Sequence, residues 1–226
     1  MFIGHWAPAL AAAAVTPRAP KLGVLFIAAQ LVDWAFFIFV MLGVEDMRIT
    51  PGISAMNPMD LYHMPYTHSL LGTAAWSIGF AALVYIWRRD LVSAAIAAAV
   101  VLSHWLLDLL VHVPDMTIAG GGEKLGFGLW NYPAIAMPLE LALTFWPFAF
   151  YISRTTGPSM PALVLAAVLL VLQMVNWFGP PPEAVDAAFL LTGLAAFGVA
   201  ALLAWWVGHT RVHNDAAGLA KAVRGR

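Results

Sequence analysis

The sequence predicts an all-α, polytopic membrane protein, one domain over residues 1 to 226, with six transmembrane helices and a short N-terminal helix that spans or re-enters. Three observations carry this. Hydrophobic residues are 62% of the 226 and charged ones only 10%, too few charges to clothe a water-soluble domain. The mean hydropathy is +0.82. Six apolar runs, each long enough to cross a hydrocarbon layer of about 30 Å, are separated by polar or Pro/Gly-rich stretches. A net charge of −1 gives no basic excess for a nucleic-acid partner. There is no cysteine, so any metal must be held by nitrogen and oxygen.

The elements follow in order. Met1 to Val15 is apolar, but Arg18 and Lys21 follow it rather than precede it, so it does not read as a secretory leader and is expected to stay in the mature protein. It is short for a full span, and His5 sits at its start beside Trp6. Leu22 to Val44 is the first long span, with Asp33 near its middle and no basic residue within two turns. Glu45 to Thr67, rich in Pro, Gly and Met, reads as turns lying at the interface. Thr67, His68 and Ser69 open the next span, His68 to Trp87, whose N-terminus is expected to offer free amides to an anion. Arg88, Arg89 and Asp90 make a tight turn into Leu91 to Val113.

Pro114 to Tyr132 contains AGGGEKLGFGLWN, whose glycines suit a mobile lid or a flexible connector. Pro133 to Ile152 buries Glu140. Met160 to Phe178 and Val185 to Val207, joined across GPPPE, hold no acidic or basic residue apart from Asp186 at the start of the second and read as scaffold. The basic tail, residues 208 to 226, carries His209, Arg211 and His213, all expected to be solvated.

The most informative stretch is SHWLLDLLVHVPD, Ser103 to Asp115. On a helix His104, Asp108 and His112 fall on one stripe, turning about 40° per step. Ionisable groups in a membrane helix cost on the order of 3 kcal/mol each, so they face a partner, a cavity or a site. Two imidazoles and a carboxylate together form a ligand set; the bland alternative is a polar stripe that clasps neighbouring helices by hydrogen bonds.

Short-loop charges orient the chain: Arg18, Lys21, Arg88, Arg89, Arg154, Arg211, Lys221, Arg224 and Arg226 fall on one side, Arg48 and Lys124 on the other. By the positive-inside rule the first side is cytoplasmic, with the C-terminus, and the two long loops lie outside. Trp130 and Trp177 near outer ends, and Trp87, Trp205 and Trp206 near inner ends, fit interfacial belts. At about 1.5 Å per residue, Asp33, His104 and Glu140 all lie roughly 10 to 15 Å below the outer surface. Asp108 is shallower, and His5, His68, His112 and Asp115 lie near the rim. Polar groups from separate helices thus share the outer half of the membrane, which points to one site open to the outer side.

GHWAPAL, an aspartate in the second span, YTHSLLG, SHWLLDLLVHVPD and GFGLWN before a buried glutamate together resemble the bacterial inner-membrane proteins classed by motif as metal-dependent hydrolases. The likeness runs over nearly the whole chain. It implies that His68, His104 and Asp108 are metal ligands. Of the motif histidine, arginine, glycine, any residue, threonine, histidine, serine, residues His63 to Ser69 keep both histidines and the threonine, with Met64 and Pro65 in place of arginine and glycine. Many members carry paired aspartates in the second span, where this chain has Asp33.

The expected chemistry is hydrolysis at a divalent ion, zinc first by its liking for imidazole and carboxylate, with manganese or iron as alternatives. Asp33, His68, His104 and Asp108, with His5 and His112, are the candidate ligands; Glu140 and Asp115 are the candidate proton-moving carboxylates, Glu140 alternatively orienting a histidine. Position in the membrane suggests a lipid or lipid-linked phosphoester as substrate. Two rival readings use the same residues: an ion or proton transporter, or an accessory protein with a structural metal.

Overall fold

The computed structural model describes residues 1–214 and is an all-α bundle. A 3₁₀ turn, Ile3–Trp6, runs directly into the short helix α1 (Ala7–Val15). Six helices long and apolar enough to cross a membrane follow: α2 (Leu22–Met41), α3 (Leu70–Arg88), α4 (Leu91–Val111), α5 (Pro133–Arg154), α6 (Ser159–Phe178) and α7 (Ala187–Thr210). The starts of α3, α4 and α7 are set by side chains that take up orphan amides. Ser69 Oγ accepts from the Gly72 amide at 3.0 Å, Asp90 from Val92 at 3.1 Å and Asp186 from Phe189 at 2.8 Å. Arg89, at φ 53°, closes the α3–α4 turn in the left-handed region. Arg18 reaches across to Asp90 at 2.5 Å, and its guanidinium holds that carboxyl below the ordinary range.

The centre of the bundle is α2, whose Leu25, Phe26, Ala28, Ala29 and Val32 are fully buried against α1, α4 and α7. Small residues let the helices close up. A Cβ on Gly23 would come within 2.7 Å of the Trp205 backbone, and one on Gly208 within 3.0 Å of the Leu22 backbone, so α2 and α7 meet at two glycines. Leu71, Ile78, Leu83 and Ile86 of α3, and Leu163, Val171 and Val175 of α6, face outward as a lipid-covered surface does.

The loops differ from the sequence expectation. Glu45 to Thr67 is not only turns: β1 (Asp46–Ile49) and β2 (Met59–His63) form an antiparallel hairpin that buries Met47 and Leu61. Arg48 pairs with Asp60 at 2.6 Å and lies 4.9 Å over the Tyr62 ring, and Tyr62 donates to Asp46. The glycine-rich loop is a docked cap. Phe127 donates to the Leu109 carbonyl and Gly128 to that of His112, at 2.8 and 2.7 Å, so the loop satisfies the open end of α4. A Cβ on Gly126 would come within 2.4 Å of the Val113 carbonyl, which explains a glycine there.

The tail also departs from expectation. His209 lies inside α7 and is exposed, as a solvated side chain should be. Arg211 and His213 are buried. Val212–His213 (β4) pairs with Thr155–Thr156 (β3); Arg211 donates to the carbonyls of Ile152, Thr155, Gly157 and Pro158, and His213 Nε2 lies 3.0 Å from the Ala14 carbonyl. The charges of this segment close the end of the bundle opposite the long loops. Lys221, Arg224 and Arg226 lie outside the described residues.

Candidate metal centre

Six side chains from four elements converge at the loop-bearing end: His5 from the N-terminal turn, Asp33 from α2, His68 just before α3, His104 and Asp108 from α4, and His112 at its C-cap. His5, His68, His104, Asp108 and His112 are all buried, and Asp33 keeps 18% of its side chain exposed. His104 Nε2 is 3.0 Å from Asp108 Oδ2 and 3.5 Å from Asp33 Oδ1; His68 Nε2 is 3.2 Å from Asp33 Oδ1 and 3.7 Å from Asp108 Oδ2. Asp108 Oδ1 gathers His5 Nε2 at 2.9 Å, His112 Nε2 at 3.3 Å and the Met1 nitrogen at 2.7 Å. His5, His104 and Asp108 form one compact triad of donors; Asp33, His68 and His104 form another.

The hydrogen bonds behind the rings decide which nitrogen faces the cluster. His104 Nδ1 lies 2.9 Å from the Ala29 carbonyl, which can only accept, so Nδ1 carries the proton and Nε2 presents a lone pair in the neutral ring. His112 Nδ1 lies 2.9 Å from Asp115 Oδ1, with the same result. His68 Nδ1 lies 2.9 Å from Thr67 Oγ1, whose one hydrogen goes to Glu45 Oε2 at 2.6 Å, so Thr67 accepts from His68. In their neutral form the three imidazoles would turn Nε2 lone pairs toward two carboxylates. Neither the 3.0 Å contact of His104 nor the 2.9 Å contact of His5 has hydrogen-bond geometry, and His104 Nε2 and both His5 nitrogens are buried without a hydrogen-bond partner. Lone pairs facing anions repel unless a cation lies between them, and the distances bracket the ~3.3 Å edge of a tetrahedron of ligands at about 2.0 to 2.1 Å. The residues fit a divalent ion, and the centre could hold one.

The six side chains that the sequence offered as candidate ligands, Asp33, His68, His104, Asp108, His5 and His112, gather around one point in the fold, in two compact groups that share His104, with His112 beside Asp108 Oδ1. Asp115 and Glu140 are placed behind that point. Asp115 holds His112, and its Oδ2 has no hydrogen-bond partner. Glu140 Oε1 accepts from the backbone amides of Phe2 at 2.6 Å and Gly4 at 3.2 Å, while Oε2 accepts from Gln173 at 3.2 Å. It orients His5 through the backbone rather than by touching a histidine. The α3 N-terminus is also not free for an anion: the Leu70 and Leu71 amides are taken by the Thr117 and Ile118 carbonyls. Trp130, expected in an interfacial belt, instead stacks on His112 at 4.3 Å and is buried.

Three supporting residues escaped the sequence reading. Glu45 is 2% exposed in a loop that read as turns at the interface, and binds the Tyr66 and Thr67 amides as well as the Thr67 hydroxyl. Gln30 donates to Asp33 Oδ2 at 2.6 Å, and its i, i+3 spacing was the available signal. Gln173 bridges Glu140 to the Ile3 amide, from a helix that read as scaffold. Compared with protein-family models, with curated proteins and with solved structures, the chain finds no match, so the functional reading rests on the geometry of this centre.

Proposed function

We propose that this chain is a membrane-embedded, metal-dependent hydrolase of the bacterial inner membrane, acting from the outer side on a phosphoester of a lipid or lipid-linked molecule. One observation carries the proposal: three histidines, each held by its Nδ1, turn Nε2 onto Asp33 and Asp108 in a cluster buried among the helices. Zinc suits this donor set best, with manganese or iron next. When bound, such an ion lowers the pKa of a coordinated water toward about 7 and polarises the phosphoryl oxygen.

The chain's own residues supply the rest. Thr67, Asp115 and the Ala29 carbonyl fix ring orientation and keep each imidazole in the ligating tautomer. Asp33, the most exposed of the six, marks the opening at membrane depth, which suits a lipid. Above Asp115 a cleft of about 20 Å³, room for roughly one water, is lined by Tyr62, His63 and Lys124 and leads out between the hairpin and the glycine loop.

The transporter reading needs a polar path to the opposite face. Between the centre and that face, residues 73–87 of α3, 91–103 of α4 and 141–153 of α5 contain no Asp, Glu, His, Lys or Arg. The test is metal analysis of the purified chain followed by phosphoesterase assay on lipid phosphates, with and without chelator. Metal-bound protein whose hydrolysis stops with chelator is the expected result; metal-free protein, or hydrolysis indifferent to chelator, defeats the proposal.

A further inference from the structure

We infer that the centre holds two divalent ions side by side, bridged by the carboxylate of Asp108. The inference rests on the metal-binding part of the proposed function and not on its hydrolytic part.

Donor supply is the first argument. A tetrahedral catalytic ion takes three protein ligands and a water, whereas six side chains converge here. Asp108 divides them. Its Oδ2 faces His104 and His68 at 3.0 and 3.7 Å, and Asp33 Oδ1 closes that side at 3.5 and 3.2 Å from the same two nitrogens. Its Oδ1 faces His5 and His112 at 2.9 and 3.3 Å. A carboxylate whose two oxygens each meet a separate pair of imidazoles is arranged as a bridge between ions about 3.5 to 4 Å apart, as in two-metal hydrolytic sites.

His104 gives the second argument. Its Nε2 belongs to both compact triads, yet a neutral imidazole nitrogen has one lone pair and serves one ion. Assigned to the Asp33 side, it leaves the Oδ1 side to His5 and His112, and Asp115 presents the Nε2 of His112 there. The third argument is His5 itself. It is 1% exposed, stacks on His104 at 3.7 Å with an 8° angle between rings, and neither of its nitrogens has a hydrogen-bond partner. A buried imidazole left in that state signals a missing ligand, and His5 lies outside the Asp33, His68 and His104 group that would hold an ion on the other side. The competing occupant of the Oδ1 side is the Met1 nitrogen, 2.7 Å from the same oxygen.

The experiment uses the full chain in detergent micelles. Zinc content is counted after dialysis, and the manganese-loaded protein is examined by electron paramagnetic resonance. Two ions per chain and an exchange-coupled manganese spectrum are expected. His5→Ala and His112→Ala should each retain one ion and show an uncoupled spectrum. A wild type with one ion and an uncoupled spectrum, unchanged in His5→Ala, overturns the inference, leaves the Met1 nitrogen as the partner of Oδ1, and leaves the hydrolase proposal standing on one ion. A wild type that takes up no ion defeats the metal reading itself. Two ions retained in both variants with an uncoupled spectrum defeat the bridge. Should either variant fail to fold, wild-type stoichiometry and spectrum decide alone.

Discussion

Glu45 and His68 are joined through a single hydroxyl: Thr67 Oγ1 donates to the Glu45 carboxylate at 2.6 Å and accepts from His68 Nδ1 at 2.9 Å. A carboxylate in the loop after α2 thereby sets the tautomer of a candidate ligand before α3.

Thr67→Val keeps shape and removes that hydroxyl. Metal affinity should fall 10- to 100-fold, the usual cost of removing a group that orients a ligating histidine. Competition against a chelator of known affinity measures it, and an unchanged dissociation constant would show that the relay does not tune the ligand.

His104→Ala should lower metal content and activity together, because Nε2 faces both carboxylates. His209→Ala, exposed near the far end of α7, should change neither. Metal content that is equal in the two variants would reject His104 as a ligand. His213 would not serve as the control, since it is buried against the Ala14 carbonyl.

Glu140→Gln places an amide where two backbone N–H groups and the Gln173 amide all donate to a carboxylate. At least one donor loses its acceptor, at about 1 to 3 kcal/mol. Thermal unfolding should report that loss, with metal retained on the Asp33 side. Full stability with abolished turnover would instead make Glu140 a proton carrier.

Gly23→Leu drives a side chain into the Trp205 backbone, where even a Cβ would come within 2.7 Å. Overpacking of this kind costs about 1 to 3 kcal/mol or more. The melting temperature in detergent should drop while metal per folded chain holds; an unchanged melting temperature would mean that α2 and α7 part freely.

Both the spans and the buried histidine and aspartate cluster could be read from sequence for one reason: hydrocarbon tolerates few exceptions. A twenty-residue apolar run announces itself, and an Asp33 or His104 inside one stands out against it. Depth reckoning brought Asp33 and His104 to a common level, and in the fold they touch the same histidine ring system. For Glu140 the same reckoning gave the level but not the direction, because the N-terminal segment comes between. Glu45 was illegible because a loop carboxylate carries no local sign that a distant Thr67 will bury it. The hairpin was missed because its two strands are short and separated by Pro and Gly. Arg211 and His213 were misread because their partners are backbone carbonyls, at and just after the end of α5 and in α1, which any sequence possesses.

The 3₁₀ turn and α1 together rise only about 20 Å, short of a full crossing, and present His5 at the inner tip of a half-inserted segment. That tip is held by Glu140 and Gln173, which the ribosome delivers long after His5. The earliest-made member of the cluster therefore cannot settle until α5 and α6 have been translated and inserted. An assembly caught before that stage would carry His68, His104 and Asp108 without His5, so ion capture on the Oδ1 side of Asp108 would report completion of the bundle.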